Sequence, residues 1–307
     1  MWAETSFFQR WYEVQDSNTK ARFKELVNNG QWEFVGGGWV QNDEANPDPF
    51  AVINQVTSGH EYLLKNFGVQ PRIAWQIDPF GHSAATASLF ALMGYDALVI
   101  NRIHFNLKND FKNQKHMEFI WKGSDVGGDS ATHMFTHVLH THYSAPKTFD
   151  WEEPGNIPVN SMNIDSRARE LVEQIKTRMQ SYRTRHHLVT WGDDFKFKNA
   201  QLQFQQMDML INHINTRADS FGLTISYSTP GEYFRAVQQE GATFPVFTGD
   251  FFPYADNGDS YWTGYYTTRP FMKIASRRFI LVTPSNFVCC CCCCCCCCCG
   301  GRGGNPN

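Results

Sequence analysis

Apolar positions along the chain follow two spacings, one typical of helices and one typical of buried strands. Apolar residues three and four apart, often followed by glycine, predict helices that end at that glycine. Shorter apolar runs between them predict strands. The predicted helices span residues 19–30, 49–68, 83–94, 164–184, 199–222 and 230–241. The predicted strands span residues 31–40, 72–77, 96–103, 116–121, 132–143, 186–191 and 223–228.

The order of these elements predicts an α/β fold, because strands that alternate with helices of this length form parallel sheets. Several strands are almost continuously apolar, as expected when both faces of a sheet are buried. Polar residues recur directly after four of the strands: Asp43 and Glu44, Asp78, Arg102, and Asp193 and Asp194. Active sites of barrels gather at the carboxyl ends of their strands. We therefore favour an irregular parallel β/α barrel over an open, doubly wound sheet.

Composition limits the classes of partner. Of the 307 residues, 42% are hydrophobic and 19% are charged, so the chain is globular rather than disordered. The net charge of −3 gives no electrostatic reason to expect nucleic acid or an anionic membrane as a partner. No apolar run approaches the ~18 residues of a membrane span. The first residues, MWAETSFFQRWYEV, lack the basic and apolar regions of a signal peptide.

The cysteines divide the chain into two parts. All 11 lie in one run, Cys289–Cys299, and residues 1–288 contain none. The body of the chain therefore cannot hold a disulfide framework. A homopolymer also lacks the spaced ligands of a zinc site. We expect a domain over residues 1–278 and a non-native or disordered Cys- and Gly-rich tail over residues 279–307.

Two carboxylate sites stand out, Asp78 in WQIDPFGHS and the pair Asp193-Asp194 in WGDDF. The proline after Asp78 favours an extended conformation there, and the following glycine permits a sharp turn before the next helix. This arrangement would point the carboxylate across the end of the sheet. A helix cap is the alternative role, although Ser83 is better placed for it. In WGDDF, adjacent side chains point opposite ways, so one aspartate is expected to face the site unless both lie in a solvated turn.

Two carboxylates held over one pocket suit glycoside hydrolysis, in which one is an ionised nucleophile and the other a protonated acid. A separation of ~5–5.5 Å would give retention of configuration, and a wider gap inversion. Arg102 or a metal ion could keep the nucleophile ionised. At strand spacing His140 and His142 would share a face that suits a metal, although hydrogen-bonded imidazoles at a strand end are the favoured interpretation.

Carboxylates and aromatic rings also interleave in FTGDFFPYADNGDSYWTGYYTTRP, residues 247–270. Asp250, Asp256 and Asp259 alternate there with rings that include Trp262. Carboxylates bind sugar hydroxyls, and aromatic faces cover the apolar face of a sugar ring. A sugar-binding loop is therefore favoured over an aromatic loop that only packs on the barrel.

Four stretches together resemble glycoside hydrolase family 38, the class II α-mannosidases: GGWVQNDEA (37–45), AWQIDPFGHS (74–83), WGDDF (191–195) and DFFPYADNGDSYWTGYYTTRP (250–270). The resemblance runs in order from about residue 2 to residue 278 and is nearer to the lysosomal-type branch. It implies a retaining exo-α-mannosidase that acts on terminal α-mannose of oligosaccharides or N-glycans in the lysosomal or secretory lumen. It also implies an irregular β/α barrel, truncated at its N-terminal end in this chain.

The resemblance assigns roles to individual residues. Asp78 matches the nucleophile, which is also a zinc ligand, and Asp194 matches the general acid. Substrate-binding positions match Arg102, Tyr143, Asp193, Asp256 and Trp262. The family's other zinc ligands, an upstream His-x-Asp pair and a downstream histidine, have no match here. We therefore expect the chain as written to bind zinc poorly and to turn over little substrate.

Other classes compete with this interpretation. GGGW (36–39) matches too few positions of a phosphate-binding loop. A metal-dependent polysaccharide deacetylase would need two histidines at helical spacing near an early aspartate, and the sequence has no such pair. A mannose-binding protein without catalysis remains as the alternative from a different class.

Overall fold

The computed structural model of the protein describes residues 1–123 and 130–282, with side chains through residue 278. As predicted, the fold is α/β. The strands are β1 (Ile73–Gln76), β2 (Ala97–Ile100), β3 (Glu118–Lys122), β4 (His133–Val138) and β5 (Val246–Thr248). The helices are α1 (Thr5–Glu13), α2 (Ser17–Asn28), α3 (Pro49–Phe67), α4 (Ala84–Leu92), α5 (Phe105–Gln114), α6 (Ile164–Met179), α7 (Ala200–Asn215), α8 (Ala218–Phe221), α9 (Pro230–Gln239), α10 (Gly264–Thr267) and α11 (Pro270–Val282).

Two sequence predictions concern the end of the chain and the membrane. Helix α11 continues across residue 278, where the predicted tail begins, and the run Cys289–Cys299 lies outside the described residues. Within residues 1–123 and 130–282, no helix is long and apolar enough to cross a bilayer.

The strands form one mainly parallel sheet in the order β1-β2-β4-β3-β5. β1, β2 and β4 run parallel to one another, whereas β3 is antiparallel to β4 and β5 is parallel to β3. The carboxyl ends of β1, β2 and β4 therefore meet at one edge of the sheet. The described strands leave β1 and β5 at the two ends of the order, so they do not themselves close a barrel.

Both faces of the sheet are buried, which accounts for the nearly continuous apolar strands. Along β1, Ala74 belongs to one core cluster while Ile73 and Trp75 belong to another. The first cluster receives α3 and α4, through residues such as Val56 and Phe90. The second receives α9. A separate apolar cluster joins α6 to α7, and a fourth gathers α1 and α2.

Three predicted strands are wrong. Residues 31–40 turn at Gly36 and Gly37, whose φ angles of +61° and +71° end an extended ladder, although the Gly36 N–H donates to the Ile73 carbonyl. Residues 223–228 lack ladder partners because the Asn215 side chain bonds both the N–H and the carbonyl of Ile225, at 2.8 and 2.7 Å. These backbone groups are satisfied without a neighbouring strand.

The third wrong strand, residues 186–191, connects two cores. Leu188 packs on the cluster under the sheet, whereas Val189 and Trp191 pack on the α6–α7 cluster. Its apolar pattern therefore reflects burial rather than pairing. Five elements were also missing from the sequence prediction: helices α1, α5, α10 and α11 and the short strand β5.

Gly59 makes a close approach between α3 and the GGGW segment. A Cβ added at Gly59 would lie 2.6 Å from the Gly38 carbonyl carbon and 2.7 Å from the Trp39 nitrogen. Both atoms are backbone, and the Trp39 N–H donates to the Gln55 carbonyl, so they cannot move aside easily. Gly59 therefore allows α3 to pack closely against the backbone of the GGGW segment.

We expect Gly59→Ala to destabilise the protein by about 1–3 kcal/mol, since overpacking outweighs the better helix propensity of alanine. The free energy of unfolding measured in urea checks this. Ser58→Ala, at the neighbouring exposed position of the same helix, is the matched control and should change stability by less than about 0.5 kcal/mol. A Gly59→Ala variant as stable as the control would contradict the packing argument.

Candidate active site

The predicted residues Asp78, Arg102 and Tyr143 meet at the carboxyl edge of the parallel strands. Asp78 follows β1 by two residues, Arg102 follows β2 by two, and Tyr143 lies beyond the end of β4. Arg102 donates from Nε and Nη2 to Asp78 Oδ1, at 2.9 and 2.6 Å. The Tyr143 hydroxyl donates to the same oxygen at 3.4 Å. Asp78 is therefore held by side chains from two neighbouring strand ends and does not cap a helix.

The second carboxylate, Asp194, reaches this group through Tyr143. Its Oδ1 lies 3.5 Å from the Tyr143 hydroxyl oxygen. Because both carboxylates contact one hydroxyl, their Oδ1 atoms are no more than about 7 Å apart, a limit that includes the spacing of retaining glycosidases. Asp193 instead accepts a hydrogen bond from the Asp194 N–H at 2.7 Å. One aspartate of WGDDF thus contacts Tyr143 while its neighbour stabilises the turn.

The charge that faces Asp78 is permanent. Burial lowers the pKa of Arg102, but hydrogen bonds with Tyr254 and Asp78 outweigh burial and raise that pKa above its ordinary value. Burial, followed by the charges of Asp78 and Asp194, raises the pKa of Tyr143. Arg102 therefore stays a cation and Tyr143 stays a hydroxyl donor over the whole working range of pH.

Aromatic rings surround the Arg102 guanidinium. Its central carbon lies 5.1 Å from the centroid of Phe80 and 5.6 Å from that of Trp262. These two rings are 4.6 Å apart, and Trp262 is 38% exposed. They form an aromatic wall beside Asp78 whose outer ring can still be reached from solvent. A wall of this kind can cover the apolar face of a sugar.

The remaining predicted residue of the late loop, Asp256, is connected to the site through Tyr254. The Tyr254 hydroxyl donates to Asp256 Oδ1 and also bonds Arg102. Burial raises the pKa of Tyr254 to about 12. Sequence reasoning assigned no role to Phe80, and it included Tyr254 only among the aromatic rings of the late loop. The available signal was position, since Phe80 is two residues after Asp78.

The turn that carries Asp78 is fixed from behind at the start of α4. Ser83 Oγ caps the helix by accepting from the Ala85 N–H at 3.2 Å, as predicted. Glu44 Oε1 accepts from the Ser83 N–H at 3.3 Å, and Asp250 Oδ1 accepts from the Ala84 N–H at 2.5 Å. Glu44 and Asp250, both noted as candidates in the sequence, thus bind the backbone of this turn. Carboxylates at a helix N-terminus are favoured by the helix dipole.

Glu44 makes the stability of this region depend on pH. Burial raises the pKa of its carboxyl from 4.5 to about 7, with a further contribution from Asp250, while hydrogen bonds from Ser83 and Thr86 lower it. Because the folded pKa lies above the unfolded one, protonation stabilises the fold. That stabilisation is complete below pH 4.5 and is lost as the pH rises to about 7.

We expect Glu44→Gln, which keeps the acceptor for Ser83, to remove this part of the pH dependence. The melting temperature of the variant should exceed that of the unmodified protein most clearly above pH 7. Thermal melts at pH 5 and pH 8 measure the effect. Glu25→Gln, at an exposed position of α2, is the control. The same change in melting temperature between pH 5 and pH 8 for both variants would refute the role of Glu44.

The histidines do not form the metal face that strand spacing suggested. β4 ends at Val138, so His140 and His142 lie in the following loop. Their Nδ1 atoms bond Thr141 Oγ1 and Ser144 Oγ, at 3.0 and 3.3 Å. The favoured interpretation, hydrogen-bonded imidazoles beyond the strand, therefore agrees with the geometry.

The family resemblance implies a zinc ion at this site, which would need several side chains as ligands. In the described ranges, 1–123 and 130–282, no three His, Cys, Asp or Glu side chains converge on a point where a metal ion could bind. Asp78 is the one implied ligand present, and its described hydrogen bonds end on Oδ1. These residues do not by themselves fit a zinc ion.

Paired carboxylates at the carboxyl edge of a mainly parallel sheet are an arrangement found in glycoside hydrolases. The family model of the N-terminal domain of glycosyl hydrolases family 38 matches residues 1–257. The chain belongs to this family, as the four motifs indicated.

Curated relatives agree with the family. The lysosomal alpha-mannosidase of Dictyostelium discoideum is 40% identical over 279 residues, which are 89% of this chain and 27% of that protein. Alpha-mannosidase 2 of Homo sapiens is 36% identical over an alignment of 311 positions, which covers 90% of this chain and 27% of that protein. The chain thus spans about a quarter of the length of these relatives.

A solved structure supports the fold alone. An alpha-mannosidase from Enterococcus faecalis superposes with a TM-score of 0.58 at 17% identity, over 81% of this chain and 25% of that one. The mainly parallel sheet with helices on both faces is therefore an arrangement shared with a known mannosidase structure.

Proposed function

We propose that the protein is a retaining α-mannosidase that releases terminal α-mannose from oligosaccharides or N-glycans. Family membership and the lysosomal-type relatives support the substrate class. The observation that carries the mechanism is the asymmetry of the two carboxylates. Asp78 is bound directly by the Arg102 cation, whereas Asp194 contacts only the Tyr143 hydroxyl among the described side-chain partners of the site.

The asymmetry assigns the two roles. Asp78, beside a fixed positive charge, is the ionised nucleophile. It attacks C1 of the mannoside, and the bond from C1 to the departing oxygen breaks as Asp194 gives that oxygen its proton. A glycosyl ester on Asp78 results. Asp194 then accepts a proton from water, the water oxygen bonds to C1, and Asp78 leaves as a carboxylate.

Tyr143 couples the two carboxylates. A phenol has one proton to donate, so it cannot donate to Asp78 and Asp194 at the same time. When Asp194 is protonated, its carboxyl donates to the Tyr143 oxygen and Tyr143 donates to Asp78. This directional chain orients both carboxyl groups for the first step, in which Asp194 gives a proton and Asp78 attacks as an anion.

The aromatic wall gives the site a place for the sugar. Trp262 and Phe80 cover one side of Asp78, and Asp256, Asp193 and Tyr254 supply hydrogen-bonding groups nearby. We propose that the apolar face of mannose packs on Trp262 while its hydroxyls bind the carboxylates. Arg102 and Tyr143 hold Asp78 beneath the anomeric carbon.

Further proposals follow from the family. The lysosomal-type relatives support a lysosomal or secretory lumenal location.

The family supports zinc bound through Asp78, together with ligands other than those described. Weak zinc binding by this chain remains a prediction. The Gly36 N–H donates to the Ile73 carbonyl and Phe34 pairs with Trp2, which supports an irregular barrel in which residues 34–36 continue the sheet beyond β1.

The experiment that tests the proposal follows aryl α-mannoside hydrolysis by the purified chain with NMR, and measures its zinc content on the same sample. We expect slow hydrolysis with α-mannose as the first product, and no hydrolysis of the matching β-mannoside or α-glucoside. β-Mannose as the first product would exclude the retaining mechanism. Binding of mannose without any hydrolysis would support the non-catalytic alternative instead.

A further inference from the structure

A half-buried lysine joins the two loops that carry the partners of Asp78. Lys108 lies on α5, one helix turn inside its start, and its ammonium donates to the carbonyl and the side-chain oxygen of Asn101, at 3.0 and 3.1 Å. It also donates to the Thr141 carbonyl at 3.1 Å. Asn101 follows β2 directly, and Thr141 lies in the loop after β4. β2 and β4 are neighbours in the sheet, so one side chain ties their ends together.

The tied residues adjoin those that touch Asp78. Arg102 is the next residue after Asn101, and Tyr143 is two residues beyond Thr141. Both side chains converge on Asp78 Oδ1. We propose that Lys108 is a positioning residue, which holds these two loops at the separation at which Arg102 and Tyr143 reach the same oxygen. The described hydrogen bonds of Lys108 do not include one to Asp78 itself, so it acts through its neighbours.

The surroundings of Lys108 disfavour its charged form, as its lowered pKa shows. Burial is the largest cause that lowers the pKa of Lys108 to about 7; the nearby cations Lys112 and Arg102 act in the same direction, and Asp256 opposes them. Among the ion pairs described for residues 1–123 and 130–282, none includes Lys108, and its three acceptors are neutral. A group with three donors is what three oxygen acceptors from two loops require.

The test compares Lys108→Met with Lys112→Met, which removes the same charge one helix turn further along α5. Amide hydrogen exchange is measured for residues 101–105 and 139–144. We expect faster exchange in both segments for Lys108→Met and little change for Lys112→Met. This readout does not depend on catalysis. Equal exchange in the two variants would overturn the inference.

Measuring kcat and KM separates a positioning role of Lys108 from a merely structural one. This measurement rests on the proposed α-mannosidase function. Lys108→Met is expected to lower kcat by about 10- to 100-fold, because small displacements of catalytic groups are costly. KM should change by no more than about twofold, since the aromatic wall is left in place. Lys108→Arg, which keeps the cation, should recover part of kcat. Wild-type kcat in Lys108→Met would overturn the proposal.

Failure of the proposed function would be recognised separately. If the unmodified chain hydrolyses no mannoside, the function is wrong and the exchange measurement alone decides the role of Lys108. If Lys108→Met does not fold, Lys108→Gln replaces it, because its shorter amide with two donor hydrogens cannot bond all three oxygens. A folded Lys108→Gln variant with the exchange rates of the unmodified protein would overturn the proposal equally.

Discussion

Replacing Asp78 with asparagine is expected to lower kcat for aryl α-mannosides by at least about 10³-fold, as loss of a covalent nucleophile does in other enzymes. An amide oxygen can still accept from Arg102 and Tyr143, so the loops should stay in place. It cannot form the glycosyl ester. Steady-state hydrolysis by Asp78→Asn and the unmodified chain measures the loss. Asp110→Asn, at an exposed position of α5, is the matched control and should leave kcat unchanged.

The covalent step can be observed directly. A fluoro-sugar with a good leaving group slows the second step, so the ester on Asp78 should accumulate and add the glycosyl mass to the peptide around residue 78. In Asp78→Ala, azide can enter the space of the carboxylate and attack from the same side, which should yield β-mannosyl azide. A label on a different residue, or unchanged hydrolysis by Asp78→Asn, would show that Asp78 is not the nucleophile.

The carboxylate site was predictable because its residues follow strands. Asp78, Arg102 and Tyr143 lie beyond β1, β2 and β4, and parallel strands bring their carboxyl ends to one edge. Asp194 was reached by a different route. The strand predicted before it does not form, yet the segment still delivers Asp194 to Tyr143, because Leu188 and Trp191 are anchored in two different cores. The wrong secondary-structure prediction therefore did not prevent Asp194 from lying beside Tyr143.

Features that depend on tertiary contacts were not predictable. Lys108 looks like a surface lysine on an amphipathic helix until the ends of β2 and β4 are seen to meet beneath it. Glu44 looked like a strand-end candidate for chemistry, but it turns to the backbone of Ser83. Periodicity reports which residues are buried, whereas the partners of a buried charge are set by contacts distant in sequence.

Replacing Asp194 with asparagine is expected to lower kcat by about 10²–10⁴-fold for substrates whose leaving group needs a proton, the usual contribution of general acid catalysis. The loss should be far smaller for an aryl mannoside with a strongly acidic phenol, since that phenolate leaves without protonation. A comparison of kcat/KM across aryl mannosides of graded leaving-group acidity measures the effect. The dependence on leaving group should be steep in the variant and shallow in the unmodified chain.

This dependence distinguishes an acid from a binding residue. A residue that only binds sugar would reduce the rate for every aryl mannoside by a similar factor, because the sugar is the same in all of them. The Asp110→Asn control should show the shallow dependence of the unmodified chain. Asp193→Asn serves as a comparison for Asp194→Asn. The Asp193 side chain accepts from the Asp194 N–H and has no described hydrogen bond with Tyr143. Equal losses across the series in Asp194→Asn would assign Asp194 to binding and require another acid in the site.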